Sequence, residues 1–144
     1  MAETDPKDTV LRYFELYDDG TPESYGSLRF MDLLHEDLLY RFLPSPRFPV
    51  GATMRGKAAI RGLNEQLAPE WRDRRHVIHD IVADGDRVAV WATWSAFCVR
   101  DFGDIAARTR VREDFMAFFR VHDGLIAEVV QSDGPALAEP EPAQ

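Results

Sequence analysis

The chain has 144 residues, 45% of them hydrophobic and 11% aromatic, with a net charge of −8. That is enough apolar material for one packed domain, and the acidic balance excludes the basic footprint of a nucleic-acid or anionic-membrane surface. Cys98 is the only cysteine, which excludes an internal disulfide and paired-cysteine zinc or redox motifs, and the absence of a signal pattern or bilayer-length apolar run makes a cytoplasmic protein the expectation.

Asp5-Pro6 opens a helix, with a capping carboxylate followed by proline at the first helical position. Val10, Phe14 and Tyr17 recur at helical spacing with Tyr13 beside them, and Gly20 is the stop. Thr21-Pro22 repeats the start signal, and Tyr25, Leu28, Met31 and Leu34 predict a second amphipathic helix. Residues 38–49 read as a short strand broken by three prolines. Gly56 precedes a third helix carrying Ala59, Ile60, Leu63 and Leu67 on one side. From Arg75 the period changes to that of strands, in four runs, with Asp84-Gly85 and Asp123-Gly124 as hairpin turns between the first and last pairs. A single domain over 1–137 is expected, then a disordered, acidic, proline-rich tail over 138–144.

Three helices with an early strand, followed by an antiparallel meander, predict an α+β fold with helices on one face of a strongly curved sheet. Such a sheet leaves a pocket on its concave side. If the convex side is apolar it needs a partner, so a homodimer is expected.

Strand alternation then selects the residues that share a face. On the last strand these are Ala127, Val129, Gln131 and Asp133; on its neighbour, Glu113, Phe115, Ala117 and Phe119. The strand after Gly85 offers Val88, Val90, Ala92, Trp94 and Ala96, and the one before it Val77, His79, Ile81 and Ala83. His79 and Asp133 are the expected acid–base pair. Histidine titrates nearest neutrality, and a carboxylate among apolar walls can have its pKa raised. Glu113 is a further candidate, and Gln131 can donate to and accept from a ligand. His76 and His79 are three apart on a strand and point to opposite faces, so no metal site is predicted. Arg108, Arg110 and Arg112 read as a solvated ladder, and Ser95 lacks a nucleophile context.

Five segments together resemble a known superfamily: RYFELYDDG (12–20), D-x-x-Y-x-x-x-P-x-P (37–46), GKAAI (56–60), ADGDRVAV (83–90) and FRVHDGLIAEV (119–129). The chain is similar to the nuclear transport factor 2-like superfamily, most of all its branch of SnoaL-type polyketide cyclases and ketosteroid isomerases, over residues 8–137. The resemblance implies a cone-shaped sheet around a small-molecule pocket, with Tyr40 and Phe42 also facing inward and no cofactor. It implies that Tyr13 donates a hydrogen bond to a substrate oxyanion. It places Phe42 and Ala117 where the isomerases have their two carboxyl groups, so ordinary ketosteroid isomerisation is not expected. Against limonene-type epoxide hydrolases, Tyr40 matches a water-binding tyrosine, but Phe42 and Gln131 replace an asparagine and an aspartate, and the Arg-x-Asp pair is missing near Ala92 and Trp94. The aspartate and histidine of the SnoaL-type cyclases fall at Gln131 and Ala117, or, shifted by two, at Asp133 and Phe119.

The expected site therefore has Tyr13, Tyr40, His79 and Asp133 as catalytic groups, and Tyr17, Phe42, Trp94, Glu113, Phe115, Ala117, Phe119 and Gln131 as ligand-binding groups. The implied function is cofactor-free proton transfer in a cyclisation, isomerisation or dehydration of a hydrophobic, oxygenated substrate such as a polyketide or terpenoid. The alternatives are a ligand-binding protein that has lost the catalytic carboxylates, and a dimerisation module.

Overall fold

The computed structural model describes residues 5–139. Helix α1 spans Pro6–Tyr17. The Asp5 carboxylate accepts from the Lys7 amide at 3.0 Å, capping the first turn. Val10, Tyr13 and Phe14 are buried on one side, and the Asp18 amide closes the helix on the Phe14 carbonyl.

The expected second helix does not form. Thr21 and Ser24 bridge to each other, a single 3-10 helix covers Arg29–Leu33, and Leu34 already begins strand β1 (Leu34–Phe42). Gly26 shows why: its φ is +113°, and a Cβ there would lie 2.6 Å from a guanidinium nitrogen of Arg74. The segment folds around that buried arginine instead of coiling on itself.

Strand β1 ends before the prolines, which sit in the loop to β2 (Ala52–Arg55). Helix α2 (Lys57–Leu67) follows, burying Ile60 and Asn64. Four long strands come next: β3 (Trp71–Asp84), β4 (Arg87–Cys98), β5 (Arg110–His122) and β6 (Leu125–Asp133). Asp123 and Gly124 have φ of 52° and 75°, the paired positive values of a type I′ hairpin turn. The two residues of β7 (Leu137–Ala138) pair with β5, and the Glu139 amide bonds the Arg110 carbonyl, so the chain stays paired past the predicted start of the tail. The remainder of that expected tail, 140–144, lies outside the described residues.

The sheet runs β2-β1-β6-β5-β4-β3. It is mixed, because β1 lies parallel to β6, while the other pairs are antiparallel. The register β4–β5 sets Val90 opposite Ala117 and Trp94 opposite Glu113; β5–β6 sets Ala117 opposite Gln131 and Phe115 opposite Asp133. The alternating rows of β4, β5 and β6 thus fall together on the face that packs against α1, as expected, whereas the expected β3 row does not: Ile81 packs on the core but Val77 and His79 lie on the outer face. The opposite face keeps Val77, Val82, Trp91 and Met116 exposed.

Candidate functional site

The concave face, α1 and α2 enclose a narrow cavity of about 80 Å³. It shares Phe42, Arg47, Leu63, Leu67 and Trp71 with a vestibule of about 300 Å³ that also includes Phe48 and Phe102. Of the expected residues, Tyr13, Tyr17, Tyr40, Phe42, Trp94, Glu113, Phe115, Phe119, Gln131 and Asp133 all line the cavity. Ala117 is buried in the core beside Gln131 and forms no part of the lining.

His79 is not in the cavity. It is exposed on the outer sheet face, its Nε2 donating to Thr93 Oγ1 at 2.7 Å and its ring 4.7 Å from that of Trp91. Thr93 in turn donates to Asp114 at 2.6 Å. The cause is a bulge: the β3–β4 register slips by one between Ile78 and Asp80. Ile78 and Ile81 both pack on the core, so His79 is pushed outward.

The histidine that reaches the cavity is His76, which shares a face with Ile78. Its Nδ1 lies 2.6 Å from Asp18 Oδ1, and its backbone amide donates to Asp18 Oδ2 at 2.7 Å. Asp18 caps the C-terminus of α1. One carboxylate therefore holds both the main chain and the ring, with Phe14, Tyr17 and Phe115 packed around the imidazole. A carboxylate on Nδ1–H fixes the tautomer and leaves Nε2 as the basic nitrogen. The available sequence signal is the Tyr17-Asp18 pair ending α1, one turn beyond Tyr13.

Along the other wall, the Tyr40 hydroxyl donates to Gln131 Oε1, and Gln131 Nε2 donates to Asp133 Oδ1 at 2.6 Å. This chain fixes the Gln131 amide and draws three candidates from two strands into one unit. Burial pushes the pKa of both Tyr13 and Tyr40 well above the ordinary phenol value, so both remain hydroxyl donors at neutral pH. Glu113 Oε1 accepts from Arg47 Nη2 at 2.8 Å, and the Arg47 guanidinium stands 5.5 Å from the Trp94 ring centre. Burial raises the Glu113 carboxyl; Arg47 opposes that shift and Asp133 reinforces it. Arg47, in the loop after Pro46, carries no pattern that singles it out.

Behind Tyr17, the Arg74 guanidinium is stacked 4.3 Å from the Tyr17 ring and 3.9 Å from Tyr25. The Tyr17 and Tyr25 hydroxyls both donate to Asn64 Oδ1, at 3.3 and 2.7 Å. These contacts tie α2 to the cavity wall. The site thus combines an oriented imidazole, two neutral hydroxyl donors and a carboxyl with raised pKa, which together can remove, stabilise and return a proton.

Solved structures share this fold. IdmH, a candidate polyketide cyclase from Streptomyces antibioticus, superposes with a TM-score of 0.71 at 20% identity, covering 90% of this chain and 92% of its own. A candidate ketosteroid isomerase from Kribbella flavida gives 0.59 at 24% identity, covering 96% and 83%. An LEH-like epoxide hydrolase from M. tuberculosis gives 0.64 at 19% identity, covering 91% and 84%. No curated protein matches in sequence. The profile of the SnoaL-like domain matches residues 10–129, and by that match the chain belongs to the SnoaL-like family.

Proposed function

We propose that this protein is a cofactor-free enzyme that moves a proton on a hydrophobic, oxygenated small molecule of the polyketide or terpenoid kind, leading to cyclisation, isomerisation or dehydration. The observation that carries this reading is the His76–Asp18 pair facing the same cavity as the Tyr13 and Tyr40 hydroxyls. His76 Nε2 takes a proton from carbon next to a carbonyl. Tyr13 donates to the oxygen as negative charge develops there, Tyr40 turns its single proton from Gln131 to the same oxygen, and Glu113 returns a proton to the product. Asp133 holds Gln131, which holds Tyr40. The chamber of about 80 Å³ admits only the reacting end of such a substrate, and the apolar vestibule takes its body. The outer sheet face pairs with a second copy of the chain.

The test is solvent-deuterium incorporation into a panel of cyclic and aromatic ketones, followed by NMR. The wild type exchanges at least one of them, and His76→Gln, with its fold intact by circular dichroism, slows that exchange about a hundredfold or more. Undiminished exchange in His76→Gln overturns the assignment.

A second reading has one observation in its favour. Phe42 lines the cavity and Ala117 is buried in the core, where the isomerases have carboxyl groups. Ketones that raise the melting temperature but never exchange deuterium would make the protein a carrier of the same ligands.

A further inference from the structure

Apart from the His76–Asp18 pair, the cavity lining includes three charged side chains, Arg47, Glu113 and Asp133. Arg47 pairs with Glu113. Asp133 accepts from the neutral Gln131 amide and forms no ion pair among the described residues. Glu113 and Asp133 are only 5% and 9% exposed, and within the described residues Glu113 Oε2 and Asp133 Oδ2 accept no hydrogen bond. Whether Glu113 is held by Arg47 or by its own proton, the Asp133 carboxylate has no cation at ion-pair distance among the described residues, and a carboxylate in an apolar enclosure without one favours a positive occupant.

The walls favour the same sign. Phe42, Trp94 and Phe115 line this part of the cavity, and aromatic ring faces attract cations. The protein already uses that attraction twice here, with Arg47 over Trp94 and with Arg74 between Tyr17 and Tyr25. An anionic ligand would meet the Asp133 carboxylate.

We propose that the cavity is a receptor for an organic cation: a compact ammonium group of the ligand, paired with Asp133 among the rings of Phe42, Trp94 and Phe115. Glu113 keeps Arg47, and the ligand supplies the missing charge. This rests on the cavity being the ligand site and adds the substrate class, an oxygenated hydrophobic molecule that carries an amine.

The experiment compares tetramethylammonium chloride with the neutral isostere neopentyl alcohol and the anion pivalate, at matched ionic strength, by thermal shift and by tryptophan fluorescence, which Trp94 reports from within the cavity. Tetramethylammonium raises the melting temperature and changes the fluorescence saturably; the alcohol binds more weakly and pivalate does not bind. Asp133→Asn weakens tetramethylammonium binding about tenfold or more. Arg47→Gln, on the β1–β2 loop, strengthens it severalfold because it removes a positive charge that repels the bound ammonium. Equal binding of the alcohol, preferential binding of pivalate, unchanged affinity in Asp133→Asn, or weaker binding in Arg47→Gln each overturns the proposal. Because none of these readouts needs turnover, ketone exchange without cation preference sinks only this inference. Cation preference without exchange preserves it and turns the site into a binding site.

Discussion

Glu113 is a carboxyl whose ionisation the fold opposes. Its side chain is buried, its nearest cation is Arg47 at 2.8 Å, and burial outweighs that cation in raising its pKa above the ordinary 4.5. The folded protein therefore keeps this proton over a pH range in which the unfolded chain has released it. The stability Glu113 contributes is complete below about 4.5 and is lost as pH rises through the raised folded value. The expected outcome is that the unfolding free energy of the wild type minus that of Glu113→Gln, measured by urea denaturation from about pH 4 to about pH 8, falls as pH rises. A difference that grows with pH would mean that Arg47 wins and that Glu113 is an ordinary ion-pair carboxylate, unsuited to returning a proton. The tyrosines obey the same physics: burial disfavours the phenolates of Tyr13 and Tyr40, which keeps both as donors.

At the scale of elements, the segment between α1 and β1 is organised by a residue far away in sequence. Arg74, on β3 and 1% exposed, stacks on Tyr17 and Tyr25, donates to the Ser27 carbonyl at 3.1 Å and lies 3.5 Å from Asp19. Truncating it leaves a hole between three elements and removes the contacts that shape residues 18–28. Arg74→Ala should cost about 3 kcal/mol or more in urea denaturation, and Arg74→Lys should rescue little, because an ammonium cannot stack as a planar guanidinium does. A loss under about 1 kcal/mol would show that the segment holds its shape without the cage. This long-range dependence is also why the pattern over 22–34 points to a helix that does not form. Tyr25, Leu28, Met31 and Leu34 recur every third residue and satisfy a helical spacing, but the arginine that overrides it lies some forty residues on. By contrast, the inward rows of β4, β5 and β6 are legible in the sequence, since the alternation there is unbroken from Val88 to Ala96, from Glu113 to Phe119 and from Val129 to Asp133. Strand β3 is not. It slips by one residue between Arg72 and Arg75, where Asp73 has a φ of 54°, and again between Ile78 and Asp80. Each slip reverses the facing of the residues beyond it, and nothing in the residue types announces it. Hence simple alternation sends His79 to the cavity and passes over His76, whose partner Asp18 comes from a different element.

Over the whole molecule, the two faces of one sheet have different tasks. The concave face is spent on core and cavity. The convex face holds a groove of about 390 Å³ lined by Trp91, Met116, Val82 and Leu43, with Trp91 49% and Met116 64% exposed. Large apolar side chains grouped on the flat of a sheet are costly to leave in water, and a two-fold axis lets one such patch cover its own copy. The polar chain His79–Thr93–Asp114 lies on this face too, where it can fix how two copies align. Each chain carries a net charge of −8, so two copies repel one another at long range, and added salt should tighten their association by screening that repulsion. Sedimentation at micromolar concentration should therefore give a mass near twice 16.4 kDa, with the dimer fraction rising with salt. The double substitution Trp91→Arg with Met116→Glu should yield a folded monomer whose cavity still binds ligand, because neither side chain enters it. A wild-type monomer at tens of micromolar, or a double variant that stays dimeric, would assign the outer face to some other partner, and the apolar groove would then need an occupant of different chemistry.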